Sequence, residues 1–338
     1  MNTEQETIKR ILNILPGSHS LSNKFFESDA EIINYNGSKL LFSIDEFSQE
    51  DFFRDDHPYK LGWNVAACTI SDIFASGGKP VFYGHSISLP IEWDNEFIDS
   101  FTKGISDVLN QLSVGFIGGD IGKSASWHYT GVVIGEASSP VTRKGASEGN
   151  LIFMTGHVGA GNLEAALKLV GKNKFIEKVI RNYQLQFPIR SRESELIGQY
   201  ATACIDSSDG LLNALNTIAE INHVGYKITN IPYLSAGTLA CKLLGKPRTA
   251  LFLGECGEYE LVFTIRKSDE KAFYDRVREN HFDITKIGEI IDEAKKVLVL
   301  NGAEKELNDF NLKARNYEHI RDYVNDLTNY AKTLDKVS

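Results

Sequence analysis

Leu61-Gly62-Trp63-Asn64-Val65-Ala66-Ala67-Cys68-Thr69-Ile70-Ser71-Asp72-Ile73-Phe74-Ala75-Ser76-Gly77-Gly78 reads as one helix, Leu61 to Ser76, closed by a glycine pair. Cys68 and Thr69 precede Asp72 by four and three residues, and Val65 lies one turn further back. The aspartate therefore shares a small, apolar helix face. An unpaired carboxylate there costs roughly several kcal/mol, or it takes up a proton. The ordinary alternative is a capped or solvent-edge aspartate near the helix end. Two further aspartates sit where strands change into turns or helices. Asp120 follows Gly118-Gly119, and Asp209 stands in Asp206-Ser207-Ser208-Asp209-Gly210-Leu211. Several carboxylates from distant parts of one chain point to Mg²⁺ ions holding a phosphorylated ligand.

Working outward, Glu4 to Leu15 has a helical pattern that stops at Pro16-Gly17. Glu31 to Tyr35 and Leu40 to Ile44 read as strands joined by a turn at Asn36-Gly37. Gln49 to Pro58 is a charged, aromatic loop. Val81 to Leu89 is a strand, Asn95 to Leu112 a helix, Val114 to Ile117 a short strand and Tyr129 to Ile134 another. The pattern changes between Gly145 and Asn150. Leu151 to Thr155 is a buried strand, followed by Gly156 to Gly161 and a helix from Leu163. Two helical stretches flank Phe187-Pro188-Ile189. Ala203 to Ile205 is a strand and Leu211 to Ile221 a helix. Glu258 to Ile265 and Ile284 to Ile291 are strands around a helix from Ser268, Lys295 to Leu300 is a further strand, and the tail after Glu318 is helical. This order gives a mixed α+β and α/β protein in two blocks, residues 1–146 and 147–338.

The 338 residues suffice for two domains, and the 42% hydrophobic fraction is ordinary for a globular protein. A formal net charge of -9 argues against a nucleic-acid partner. The first residues are polar and acidic, unlike a signal peptide, and no apolar run reaches membrane-spanning length. Cys68, Cys204, Cys241 and Cys256 have no paired spacing and read as reduced residues of a cytoplasmic protein. The histidines show no metal-ligand spacing.

Each candidate site has an ordinary alternative. The glycines before Asp120 permit close approach of backbone amides to a phosphate, and equally make a plain turn. Ser208 suits the N-cap of the helix at Leu211, whose N-terminus would welcome an anion, or capping alone explains the run. Asp45 ends the strand Leu40 to Ile44 and joins the acidic set; Asp29 is a weaker member. Arg143 and Lys144 are phosphate partners or ordinary surface charges. Gly156 to Gly161 lacks P-loop spacing and reads as a structural turn.

With these runs placed, the chain resembles the thiamine-monophosphate kinase family, in the superfamily of aminoimidazole ribonucleotide synthetase, selenophosphate synthetase and the hydrogenase maturation factor HypE. The resemblance rests on Ser43-Ile44-Asp45, the run from Leu61 to Pro80, Gly118-Gly119-Asp120, Ile205 to Leu211, Tyr259 to Thr264 and Tyr317-Glu318-His319. It implies a two-domain PurM-like fold, with an N-terminal domain that pairs in a homodimer and a C-terminal α/β domain. It implies ATP as co-substrate, a small phosphorylated acceptor, and Mg²⁺ bound by Asp29, Ser43, Asp45, Asp72, Asp120, Asp206 and Asp209. Of these Asp72, Asp120 and Asp209 would be catalytic. Gly119, Asp120, Arg143 and Ser208 would meet the nucleotide; Phe52, Glu258 and Tyr317 would face the acceptor.

The chain departs from the family at Ser28, where a carboxylate is lost, and at Ile44, where a threonine is lost. It also departs at Phe52, in place of a histidine, and in Glu255-Cys256-Gly257-Glu258. Transfer to a different small acceptor, or nucleotide binding with little catalysis, are the alternatives that these departures keep open. HypE-like chemistry is not expected, because the sequence ends Leu334-Asp335-Lys336-Val337-Ser338 without a terminal cysteine. Selenophosphate synthesis is not expected either, since no reactive Cys or Lys sits in an N-terminal glycine-rich segment.

Overall fold

The computed structural model describes residues 4–170, 185–292 and 294–336. In chain order the helices are α1 (Glu4–Leu12), α2 (Pro58–Ala75), α3 (Asn95–Leu112), α4 (Ala160–Val170), α5 (Ser191–Tyr200), α6 (Leu211–Asn222), α7 (Ser235–Leu243), α8 (Ala250–Leu253), α9 (Glu270–Asn280) and α10 (Ile320–Asp335). The strands are β1 (Glu31–Tyr35), β2 (Ser38–Ser48), β3 (Lys79–Leu89), β4 (Gly115–Lys123), β5 (His128–Glu136), β6 (Leu151–Thr155), β7 (Ala201–Asp206), β8 (Gly225–Ile228), β9 (Leu261–Ile265), β10 (Ile284–Ile291), β11 (Lys296–Leu300) and β12 (Ala303–Glu306). They form two sheets, ordered β1-β2-β5-β3-β4 and β12-β11-β8-β10-β6-β9-β7.

The first sheet is antiparallel except at its edge, where β4 runs parallel to β3 after the crossover through α3. Asn36 and Gly37, with φ of 50° and 82°, make the tight turn expected between β1 and β2. α2 starts with Pro58, whose fixed φ suits a first turn. It is buried nearly all round because it packs against α3 and the first sheet on one side and touches β7 and β9 of the second on the other. Among the described residues no helix is long and apolar enough to cross a membrane.

Strand alternation assigns two environments in the second sheet. Leu151 and Phe153 of β6 belong to a core shared with α2 and the first sheet, whereas Ile152 and Met154 face the core under α6 and α10. In the first sheet the alternation is equally plain. Tyr83, Ile87, Tyr129 and Val133 are buried under the helices. On the opposite face the register aligns Phe42, Ile134 and Phe82 in one row across three strands, with Ile44 beside Val132. Phe82 is 46% and Ile44 56% exposed, so this outer face is apolar and uncovered.

Several boundaries differ from the sequence reading. β2 continues to Ser48, so Asp45 lies within the strand and not at its end. β4 runs through Gly118-Gly119-Asp120, which pairs with β3 and is not a turn. Glu258 to Glu260 lie before β9, because Tyr259 takes a left-handed backbone that no strand accommodates. β8, α7, α8 and β12 were not anticipated. The helix expected before Phe187 falls within 171–184, outside the described residues, as do Val337 and Ser338.

Candidate active site

The segment before β1, the middle of β2, the last turn of α2 and the end of β7 contribute the acidic residues. Asp29, Asp72 and Asp206 each present a carboxylate oxygen, all within 4.8 Å of one another. Ser43 on β2 donates its hydroxyl to Asp72 Oδ2 at 2.6 Å. Arg143 supplies the positive charge nearest to hand, its Nε donating to Asp29 Oδ1 at 3.0 Å. One cation among these acids leaves the group short of positive charge. Burial and the neighbouring carboxylates push Asp72 well above its ordinary value, and Asp45 up to about 8. Burial, opposed by Arg143, holds Asp29 at about 6. Asp29 Oδ2 and Asp206 Oδ2 are buried with no hydrogen-bond partner. Orphaned oxygens on converging carboxylates match the demand of a hard divalent cation for oxygen ligands.

The structure brings together Asp29, Ser43, Asp45, Asp72 and Asp206, and it raises Asp29 from a weak candidate to a central one. Ile44, whose lost hydroxyl marked a departure, points to the outer face by strand alternation, away from Ser43 and Asp45. Asp120 is not in this group. Its partner in the register is Ser86, on the outer face, while Gly119 pairs with His85 on the inner face. A Cβ on Gly119 would lie 2.6 Å from the His85 ring. That glycine is thus required by packing within the sheet, a constraint the phosphate reading did not contain.

Ser208 is not the N-cap of α6. Gly210 holds that position, with φ of 84°, and Ser208 instead donates its N–H to Asp206 Oδ1 at 3.3 Å. The backbone thereby curls round Asp206 and leaves Asp209 exposed. The neighbouring loop presses on this turn so closely that a Cβ on Gly257 would fall 1.7 Å from the Ser207 carbonyl. Glu258, expected on the acceptor side, is 1% exposed; its carboxylate accepts the Gly159 N–H at 2.6 Å and is pushed up by burial to about 8. It braces the loop instead of facing solvent. Arg143 is likewise engaged with Asp29. Tyr317 packs edge-on against Tyr323 and donates to Asp326 Oδ2 at 3.0 Å. Phe52 lies in a cluster with Phe53 and Phe187.

Sequence reasoning missed two ion pairs that frame the site. Glu260 takes Arg190 Nε and Nη2, both at 2.6 Å, and also accepts the Thr155 hydroxyl. Glu164 on α4 takes Arg54 Nε at 2.5 Å and Nη2 at 2.9 Å, tying the Phe52 loop to the second sheet's side. The paired residues lie 70 and 110 positions apart, and one sequence carries no signal for such pairing.

Comparison with known proteins adds the lineage. Residues 27–137 match the family described as AIR synthase related protein, N-terminal domain. The thiamine-monophosphate kinase of Buchnera aphidicola subsp. Schizaphis graminum is 31% identical over 289 residues, covering 82% of this chain and 87% of that protein. The thiamine-monophosphate kinase of Archaeoglobus fulgidus is 29% identical over 280 residues, covering 82% and 90%. Among solved structures, AaThiL complexed with AMPPCP and TMP has the same fold, with a TM-score of 0.74 at 24% identity over 89% of this chain and 93% of that one. The fold, the order of the motifs and these similarities agree: the chain belongs to the thiamine-monophosphate kinase family.

Proposed function

We propose that this chain transfers the γ-phosphoryl group of ATP to the phosphate of thiamine monophosphate, giving thiamine diphosphate and ADP. The observation that carries the reading is the convergence of Asp29, Asp72 and Asp206 on one gap, with oxygens left unpartnered, in a chain of this family. A protein of the same fold, AaThiL, is known with AMPPCP and TMP. Asp29, Asp72 and Asp206, with Asp45 beside them, would hold Mg²⁺, and Ser43 fixes the Asp72 carboxylate. When bound, Mg²⁺ neutralises the phosphoryl oxygens of two anionic reactants.

The protein's own part is positioning. Arg143 holds Asp29 in place, the Asp206 turn presents its carboxylate, and exposed Asp209 extends the acidic surface toward the reactants. An acceptor phosphate oxygen is already a nucleophile, so no side chain need act as base. It bonds to the γ-phosphorus as the bond from that phosphorus to the β,γ-bridging oxygen breaks, in line. By the family resemblance Ser208 and Gly119 would meet the nucleotide, and Phe52 and Tyr317 the acceptor.

The outer face of the first sheet pairs two copies through the row Phe42, Ile134 and Phe82, and Asp120 on that face serves a site completed by the second copy. We assign residues 1–146 and 147–338 to two domains that share one apolar core under α2, and place the protein in the cytoplasm on its free cysteines. Initial rates of ADP release test the reaction: release must depend on both Mg²⁺ and thiamine monophosphate. ATP consumption at the same rate with and without thiamine monophosphate overturns the assignment.

A further inference from the structure

Asn222, the last residue of α6, spends its whole side-chain amide on backbone groups. Its Nδ2 donates to the Arg143 and Ile218 carbonyls, both at 2.8 Å. Its Oδ1 accepts the Gly145 N–H at 2.7 Å and the Ala146 N–H at 3.1 Å. Two donors and two lone pairs are all that an amide offers, so the group is saturated. Closing the end of α6 would need only the bond to Ile218. The other three grip one strap, residues 141–146, which runs between β5 and β6. The strap is held from its other side too. The Val141 N–H donates to the Ser76 carbonyl, the Arg143 N–H to the Glu27 carbonyl and the Cys204 N–H to the Thr142 carbonyl. The Arg143 backbone is thus fixed at both ends, its N–H by Glu27 and its carbonyl by Asn222.

That fixation bears on how the guanidinium meets Asp29. Arg143 Nε, at 3.0 Å, and Nη2 donate to the same oxygen, Asp29 Oδ1. An arginine free to turn takes a carboxylate fork to fork, one oxygen to each nitrogen. Here the end-on approach leaves Asp29 Oδ2 buried and without a partner, on a carboxylate that converges with those of Asp72 and Asp206. α6 links the two halves of this arrangement. Its last residue holds the Arg143 carbonyl, and its N-cap, Gly210, closes the turn that presents Asp206.

We propose that Asn222 is a positioning residue for the cation site: by holding the Arg143 carbonyl it keeps the guanidinium end-on to Asp29, and so keeps Asp29 Oδ2 open to the metal. This rests on the reading that a divalent cation occupies the Asp29, Asp72 and Asp206 cluster. The test is the affinity of the full chain for Mn²⁺ without nucleotide, read from the electron paramagnetic resonance of the free ion. Wild type, Asn222→Ala and Asn222→Asp are compared, each alone and combined with Arg143→Met, with the melting temperature of every protein. Asn222→Asp retains the acceptor for Gly145 and Ala146 and loses the donor to Arg143; its added negative charge would by itself favour a cation. Both variants should weaken Mn²⁺ by about tenfold or more, as expected when a group that orients a metal ligand is removed. In the Arg143→Met background no guanidinium can close over Asp29, and the same substitutions should change the affinity by less than about twofold. An equal loss in both backgrounds overturns the inference, because Asn222 would then act on the fold and not through Arg143. Unchanged Mn²⁺ affinity in a folded Asn222→Asp overturns it as well. A crystal structure of Asn222→Asp should show Arg143 spanning both Asp29 oxygens; a guanidinium still end-on to Oδ1 overturns the inference whatever the affinities. If wild type binds no Mn²⁺, the reading of the cluster fails, and this inference fails with it.

Discussion

Lowering the pH should weaken Mg²⁺ binding by an amount the cluster itself sets. A cation held by Asp29, Asp45, Asp72 and Asp206 needs their carboxylates ionised, so it competes with protons. Burial holds the Asp29 carboxyl at about 6 against an ordinary 3.8, and Asp45 at about 8. From about pH 8 to about pH 5, protonation of Asp29 alone lowers the apparent affinity by about tenfold, and Asp45 adds to this in the same direction. The sign for stability follows from the same values. The folded, metal-free protein binds these protons more tightly than the unfolded chain. Their stabilising contribution is therefore complete below about pH 4 and is lost as pH rises through about 6 for Asp29 and about 8 for Asp45. Mg²⁺ should raise the melting temperature more at pH 8 than at pH 5. Titration calorimetry in two buffers of different ionisation enthalpy counts the protons released on binding. An affinity that stays constant between pH 5 and pH 8, with no proton released, would refute the reasoning.

Three other outcomes follow from the same geometry. Asp72→Asn retains an acceptor for the Ser43 hydroxyl and removes one of several repelling carboxylates, so turnover should fall by about a hundredfold or more while the melting temperature holds or rises; steady-state rates and calorimetry check both. Phe82→Asp puts a charge in the uncovered apolar row and should convert a dimer into a folded monomer by light scattering, whereas a monomeric wild type would remove the proposed interface. Glu164→Ala leaves the Arg54 guanidinium, 17% exposed, without its bidentate partner and should cost about 3–5 kcal/mol in urea unfolding.

Local signals were legible where local chemistry decides the structure. The Asn36-Gly37 turn, α3 and β6 lie where the sequence places them, because turn residues, caps and apolar runs act within a few positions. Asp72 was found because a carboxylate on an apolar helix face is costly in any fold. The remainder depended on partners far away in sequence. Gly118-Gly119-Asp120 reads as a turn on composition, but pairing with β3 extends it as an edge strand and turns Asp120 to the outer face. Ser208 looks like a cap, yet the Asp206 carboxylate captures its N–H and Gly210 takes the N-cap position instead. Asp29 gained its importance from Arg143, 114 residues away. Tyr259 sits in a run that alternates like a strand, and only the ties of Glu258 and Glu260 to other elements reveal its left-handed backbone.

The central claim is that Asp29, Asp72 and Asp206 hold the cation that assembles the reactants. Crystals grown with Mn²⁺ in place of Mg²⁺, together with AMPPCP and thiamine monophosphate, test it most directly by anomalous diffraction. The account predicts an anomalous peak at bonding distance from oxygens of these three carboxylates, with phosphoryl oxygens completing its coordination. Nucleotide bound elsewhere, with no metal peak between the three aspartates, would contradict it.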